Sequence, residues 1–216
     1  MTFHMKKFIV IVAALLLGFQ AKAQIIADAG FVTSFEKTTN VDGIKFPSTL
    51  FGVYAGANYY YSLDNFMDGL AILPGANFSV LMGRHWHWAT VKVSEIALNI
   101  PVQASFTHEI NEKVKVFGQT GPTFQLALSY KAKSPGSSFP LLKKNNDFYL
   151  INDGHPEARN PFNIFWGFAA GAEIIDMLRI ELGVDFGFFN LNRKLDHSDV
   201  NKITRTTLHV GVGYLF

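Results

Sequence analysis

Leu208-His209-Val210-Gly211-Val212-Gly213-Tyr214-Leu215-Phe216 is the stretch that decides the fold. Leu208, Val210, Val212, Tyr214 and Phe216 alternate with His209, Gly211, Gly213 and Leu215. A period of two puts the two sets on opposite faces of a strand, one face apolar and the other small or polar. The strand reaches the last residue of the chain and carries an aromatic there. A soluble domain rarely exposes Phe at a fraying end, whereas a membrane β-barrel uses aromatics in girdles at the lipid–water boundary.

The other end of the sequence agrees. Lys6 and Lys7 precede an apolar run over 8–19, and Ala21-Lys22-Ala23 follows as an A-x-A cleavage site. Residues 1–23 read as a secretory signal peptide, because the apolar run is too short to cross a bilayer as a helix. The mature chain is then 24–216. The full chain has formal charge +2, and the signal carries Lys6, Lys7 and Lys22 with no acid, so the mature charge is 2 − 3 = −1. A near-neutral chain gives no basis for nucleic-acid binding. With no Cys, disulfides and thiolate metal sites are excluded. Charged residues make up 17%, below the roughly 25% of soluble proteins, and Phe alone numbers 21. No later run is long enough for a spanning helix.

Eight strands are expected, over 24–36, 49–61, 70–82, 91–107, 114–131, 162–174, 178–190 and 204–216. In the seventh, Leu178, Ile180, Leu182, Val184, Phe186 and Phe188 alternate with Arg179, Glu181, Gly183, Asp185 and Gly187. The first is the least regular, since Ile26 and Val32 fall on its polar face. Connections over 62–69, 108–113 and 175–177 are short. Those over 37–48, 83–90, 132–161 and 191–203 are longer, the pattern of inner turns and outer loops in an outer-membrane barrel. Both termini then lie at the short-turn end. The 132–161 connection is long enough to be functional in its own right.

Periodicity does not say which face is inside. A water-facing surface is dense in Lys and Glu, but here the polar faces are mostly Gly, Ala, Asn, Ser, Thr and Gln with scattered charges. That composition suits a crowded lumen, and the continuous Phe, Trp, Leu, Ile and Val face suits lipid. A sheet in lipid must close, or its edge amides stay unpaired at several kcal/mol each. The fold class is therefore all-β: an eight-stranded antiparallel up-and-down transmembrane β-barrel behind a cleaved signal peptide, in the cell outer membrane. Its interior is filled by side chains rather than open as a wide pore.

The candidate lumen charges are Asp28, Glu95, Lys115, Glu173, Arg179, Glu181, Asp185, Arg205 and His209. They read as a network of ion pairs, since each buried charge needs a partner. A proton path or an acid/base pair is the alternative. His85 and His87, within His85-Trp86-His87-Trp88, share a side in an extended segment and are the weak metal candidates, without a matching third ligand. His197-Ser198-Asp199 invites a hydrolase reading. Adjacent loop residues rarely form a triad, however, and no nucleophile elbow is present. No catalytic residue and no cofactor is assigned.

Several segments also resemble the outer membrane β-barrel family of Bacteroidetes that includes PorT-like proteins. They are Gly52-Val53-Tyr54-Ala55-Gly56, Leu73-Pro74-Gly75-Ala76, Leu98-Asn99-Ile100-Pro101-Val102, Phe117-Gly118-Gln119-Thr120-Gly121-Pro122 and the closing Gly211-Val212-Gly213-Tyr214-Leu215-Phe216. The chain departs from the pattern at Asn99, where Glu is expected. The resemblance implies an eight-stranded outer-membrane barrel. It also implies that Leu208, Val210, Val212, Tyr214 and Phe216 form a signal for the barrel-insertion machinery. The expected role is non-enzymatic: structural, adhesive or secretion-accessory, with recognition by a protein partner at the outer loops and outer-membrane lipid around the wall. The alternatives are a narrow channel or transporter of small solutes, a lipid-modifying enzyme, and a soluble periplasmic barrel binding a hydrophobic ligand.

Overall fold

The computed structural model describes residues 23–84, 92–134, 137–140, 142, 159–192 and 200–216. Its strands are β1 (Ala23–Asn40), β2 (Lys45–Ser62), β3 (Leu70–Arg84), β4 (Lys92–Asn111), β5 (Val114–Ser134), β6 (Ser137–Pro140), β7 (Phe162–Ile174), β8 (Leu178–Gly187) and β9 (Val200–Leu215). All except β6 join one antiparallel ring in chain order, which β9 closes by pairing with β1 from Ile26↔Leu215 to Asn40↔Val200. The expected eight strands are all present. The short β6 folds back on the end of β5, with Lys133 opposite Ser138.

The expected first connection over 37–48 is corrected: β1 and β2 stay paired as far as Thr39↔Lys45. Asn40 caps the tight turn that remains. Its side-chain oxygen accepts from Ile44 N at 2.8 Å, and its backbone carbonyl accepts from Gly43 N at 3.1 Å. Gly43 has φ 79°, the conformation a glycine supplies. Asp42-Gly43 was a legible hairpin signal. A second departure is a bulge in β5. Ala97 pairs with Ala127 and Ile96 with Ser129, which skips Leu128 and inverts the inward parity beyond it. Tyr130 and Ala132 are therefore the buried residues there, not Ser129 and Lys131.

The two faces settle which side is the interior. Phe31, Phe51, Phe78, Phe168, Leu182 and Val212 all project outward and are more than half exposed, among many others. Leu208, Val210, Val212, Tyr214 and Phe216 share that outer face, and the Phe216 amide donates to the Ile25 carbonyl at 2.9 Å. A water-soluble barrel would need the reverse arrangement, so the soluble periplasmic alternative is overturned. Inside, polar side chains dominate among the described residues, interrupted by small apolar clusters, of which Leu191 with Ile203 is the smallest. Val32 packs with Leu50, Tyr54, Leu81, Val93, Tyr130 and Ala132, while Ile26 packs with Ala71, Leu73 and Leu215. The two irregular residues of β1 thus serve as lumen filling.

Candidate functional site

The lumen is the densest polar site of the described structure, and it is layered. At the end away from the short turns, Arg205 of β9 lies between Glu36 of β1 and Glu95 of β4. Its Nε donates to Glu36 Oε1 at 3.0 Å and its Nη1 to Glu95 Oε1 at 2.7 Å. Its Nη2 donates to Glu95 Oε2 at 2.5 Å and also to Glu36. Arg159, just before β7, folds into the same mouth. Its Nη1 meets Glu36 Oε1 at 2.9 Å, and its guanidinium lies 4.1 Å from the Tyr130 ring centre. The four ionic side chains are 1–3% exposed. Among the described residues two carboxylates face two guanidiniums here, a balance under which buried charge is tolerated.

A chain of amides runs inward from this cluster. Arg205 Nη1 donates to Gln125 Oε1 at 3.1 Å, and Gln125 Nε2 donates to Asn99 Oδ1 at 2.9 Å. Asn99 Nδ2 then donates to Asn77 Oδ1 at 2.9 Å and to Ser79 Oγ at 3.1 Å. An amide at 99 both donates and accepts, so it links the ionic layer to the middle of the barrel; an ionised Glu could only accept.

The middle layer holds Asp28, Tyr54, Gln119, Glu181, Asp185 and His209. Tyr54 hydroxyl donates to Glu181 Oε1 at 3.3 Å, and Gln119 Nε2 donates to Glu181 Oε2 at 3.2 Å. His209 Nδ1 lies 3.2 Å from Asp185 Oδ2, and its Nε2 lies 3.9 Å from Glu181 Oε1. Tyr54 reaches Glu181 across two strands. Register places Gly30 beside Tyr54, Gly211 beside Gly30, and Glu181 beside Gly211. The ring lies over these two glycines, and a Cβ at Gly211 would fall on the Tyr54 hydroxyl. A cavity of about 100 Å³ lies among these groups. That is room for a few waters and well below the roughly 300–1,000 Å³ of small-molecule sites.

At the short-turn end, Arg179 stacks 3.4 Å from the Phe117 ring centre and lies 3.8 Å from Glu173. Lys115 pairs with Asp176 of the β7–β8 turn at 2.8 Å.

The nine charges expected from the sequence thus lie in three layers along the lumen, the first reaching toward the middle through the Gln125–Asn99 amides. Glu36 and Arg159, which complete the first layer, were missed. Glu36 shares the inward parity of Asp28 and could have been read, whereas Arg159 lies in a connection without periodicity. His85, His87 and the 197–199 segment lie outside the described residues. Among the described residues no group of three His, Cys, Asp or Glu side chains is placed to hold a metal.

No protein-family model and no curated protein matches the sequence. Among solved structures, the chain is similar to Ail, the attachment invasion locus protein of Yersinia pestis, at 14% identity. That match covers 91% of this chain and 100% of that one, with a TM-score of 0.45. It is also similar to Neisserial surface protein A, at 12% identity over 91% and 98% of the two chains, TM-score 0.44. PagL, described as an outer membrane enzyme, aligns at 8% identity over 83% and 97%, TM-score 0.39. Closed strands, a side-chain-filled lumen and an apolar outer wall are the solution that lipid imposes on a β-sheet, and the chain is built as an eight-stranded outer-membrane β-barrel.

Proposed function

We propose that the protein is a non-conducting, non-enzymatic outer-membrane barrel whose recognition lies at its outer end. Its role is structural, adhesive or secretion-accessory, the last in keeping with the PorT-like motifs it resembles. The observation that carries this reading is the sealed mouth: Glu36, Glu95, Arg159 and Arg205 are almost fully buried and bonded to one another across the lumen. Opening a path there would strip paired charges of their partners, at several kcal/mol for each bare ion. Binding on such scaffolds falls to the loops that the rigid wall holds.

The His209–Asp185 pair has the arrangement of a base and its orienting carboxylate. Its second ring nitrogen faces another carboxylate, Glu181, and the adjoining cavity is too small for a lipid substrate. This supports a structural role for the pair. The polar lining of that cavity favours a narrow solute path as the second reading. Single-channel recording in planar bilayers decides between them. No discrete conductance steps are expected from the wild-type chain, and regular steps would overturn the proposal. An altered lipid A or phospholipid profile on deletion or overexpression would overturn the non-enzymatic assignment.

A further inference from the structure

The outer wall carries a patch of cations that the lumen does not explain. Arg84 ends β3, Lys92 begins β4 and Lys133 lies near the end of β5, and register sets them side by side: Arg84↔Lys92 and Lys92↔Lys133. Lys131, opposite Ser94, is the next outward residue on β5. All four are exposed, and among the described residues no carboxylate pairs with any of them. Like charges directly opposite on neighbouring strands have their Cβ atoms about 5 Å apart and destabilise a sheet. An anion held against such a row relieves that repulsion.

Position identifies the anion. Farther along the same outward faces the wall turns apolar: Met82 follows Arg84 directly, Ile96 follows Lys92 beyond Ser94, and Leu128 lies at the bulge beyond Lys131 and Ser129, all three exposed. The patch therefore sits where the lipid-facing band ends. Lys37, Lys45 and Lys202 continue the basic rim on β1, β2 and β9, with Asp42 the described exposed acid there. The short-turn rim has the opposite character, exposing Asp64, Asp68, Glu109, Glu112 and Asp176. Building on the outer-membrane reading, we infer that Arg84, Lys92, Lys131 and Lys133 form a docking site for the phosphate headgroup of an outer-leaflet lipid. The acyl chains of that lipid lie along the apolar wall below. Arg supplies a two-pronged donor for phosphate oxygens, and the lysines supply charge. A free phosphate would lack the apolar half of this site.

The test uses the full chain refolded in mixed micelles of phosphatidylcholine and phosphatidic acid, with retained lipid read by native mass spectrometry. The wild type should retain phosphatidic acid over phosphatidylcholine by roughly tenfold, as a few cations near an anionic surface provide. Arg84→Gln/Lys92→Gln/Lys133→Gln should abolish that preference, while Lys113→Gln at the opposite rim should leave it. A wild type without preference, or a triple variant that keeps it, overturns the inference. An excess of inorganic phosphate should not displace the lipid; displacement would overturn the lipid assignment. Boiling-dependent gel mobility, run in parallel, reports the barrel. Its absence in the wild type would overturn the membrane reading itself, whereas an intact barrel without lipid preference overturns only this site.

Discussion

Replacing Arg205 with Met tests whether the ionic mouth stabilises the barrel as its geometry implies. Among the described residues Arg205 alone donates hydrogen bonds to Glu95, whereas Glu36 keeps a second cation in Arg159 at 2.9 Å. The variant therefore leaves one carboxylate, Glu95, 2% exposed and without its cation. Removing one partner of a buried pair costs about 3–5 kcal/mol, chiefly from the bare charge left behind. Glu95→Met alone strands the opposite sign, two guanidiniums against one carboxylate, at a cost of about 3 kcal/mol. The double variant leaves a balanced Glu36–Arg159 pair and a thioether-lined gap, and should lie within about 2 kcal/mol of wild type. The cycle thus yields a coupling of at least about 4 kcal/mol. Reversible urea unfolding in lipid vesicles, followed by tryptophan fluorescence, measures all four proteins. If the double variant loses the sum of the two single losses, the cost came from packing and the electrostatic argument is refuted.

Three further outcomes follow from other parts of the wall. Leu182, 64% exposed at mid-strand on β8, faces lipid, so Leu182→Arg should cost about 2–4 kcal/mol in bilayers; no loss would contradict the membrane orientation. In the β7–β8 turn, Ile175 and Asp176 have φ of 55° and 56°. That conformation costs a branched side chain about 1–2 kcal/mol, so Ile175→Asn should raise the urea midpoint by about 1 kcal/mol of stability. An unchanged or lower midpoint would mean the exposed Ile175 side chain contributes more than its backbone strain costs. Gly211→Ala should push the Tyr54 hydroxyl from Glu181 at about 1 kcal/mol, the low end of overpacking. The same change in a Tyr54→Ala background should cost clearly less, with only the Ala29 carbonyl left close to the new methyl, and a full cost there would place the clash elsewhere.

Most of the barrel was legible because lipid and lumen demand opposite chemistry of successive residues. Thus β8, with Leu178 to Phe186 outward and Arg179 to Asp185 inward, could be oriented residue by residue. Legibility failed where periodicity breaks or contacts become long-range. The bulge at Leu128 reverses parity without a sequence mark. The extension of β1 past Glu36 was hidden by Lys37 and Thr38, whose polarity suits a loop as well as a strand near the rim. For the mouth, periodicity put Glu95 and Arg205 inside but could not pair them: they meet across the lumen from β4 and β9. Arg159 comes from a connection without periodicity and forms an isolated bridge with Asn192.

The β1–β9 seam also has a kinetic consequence. It joins Ile26 to Leu215, so the contact that closes the ring spans almost the whole described chain. Until that pairing forms, β1 and β9 both present a bare edge, and a bilayer offers no water to satisfy it. Strand-by-strand insertion therefore passes through species with unpaired amides in lipid, and ring closure must accompany insertion rather than follow it. Such long-range closure makes folding slow and leaves the unsealed chain prone to pair with another copy of itself.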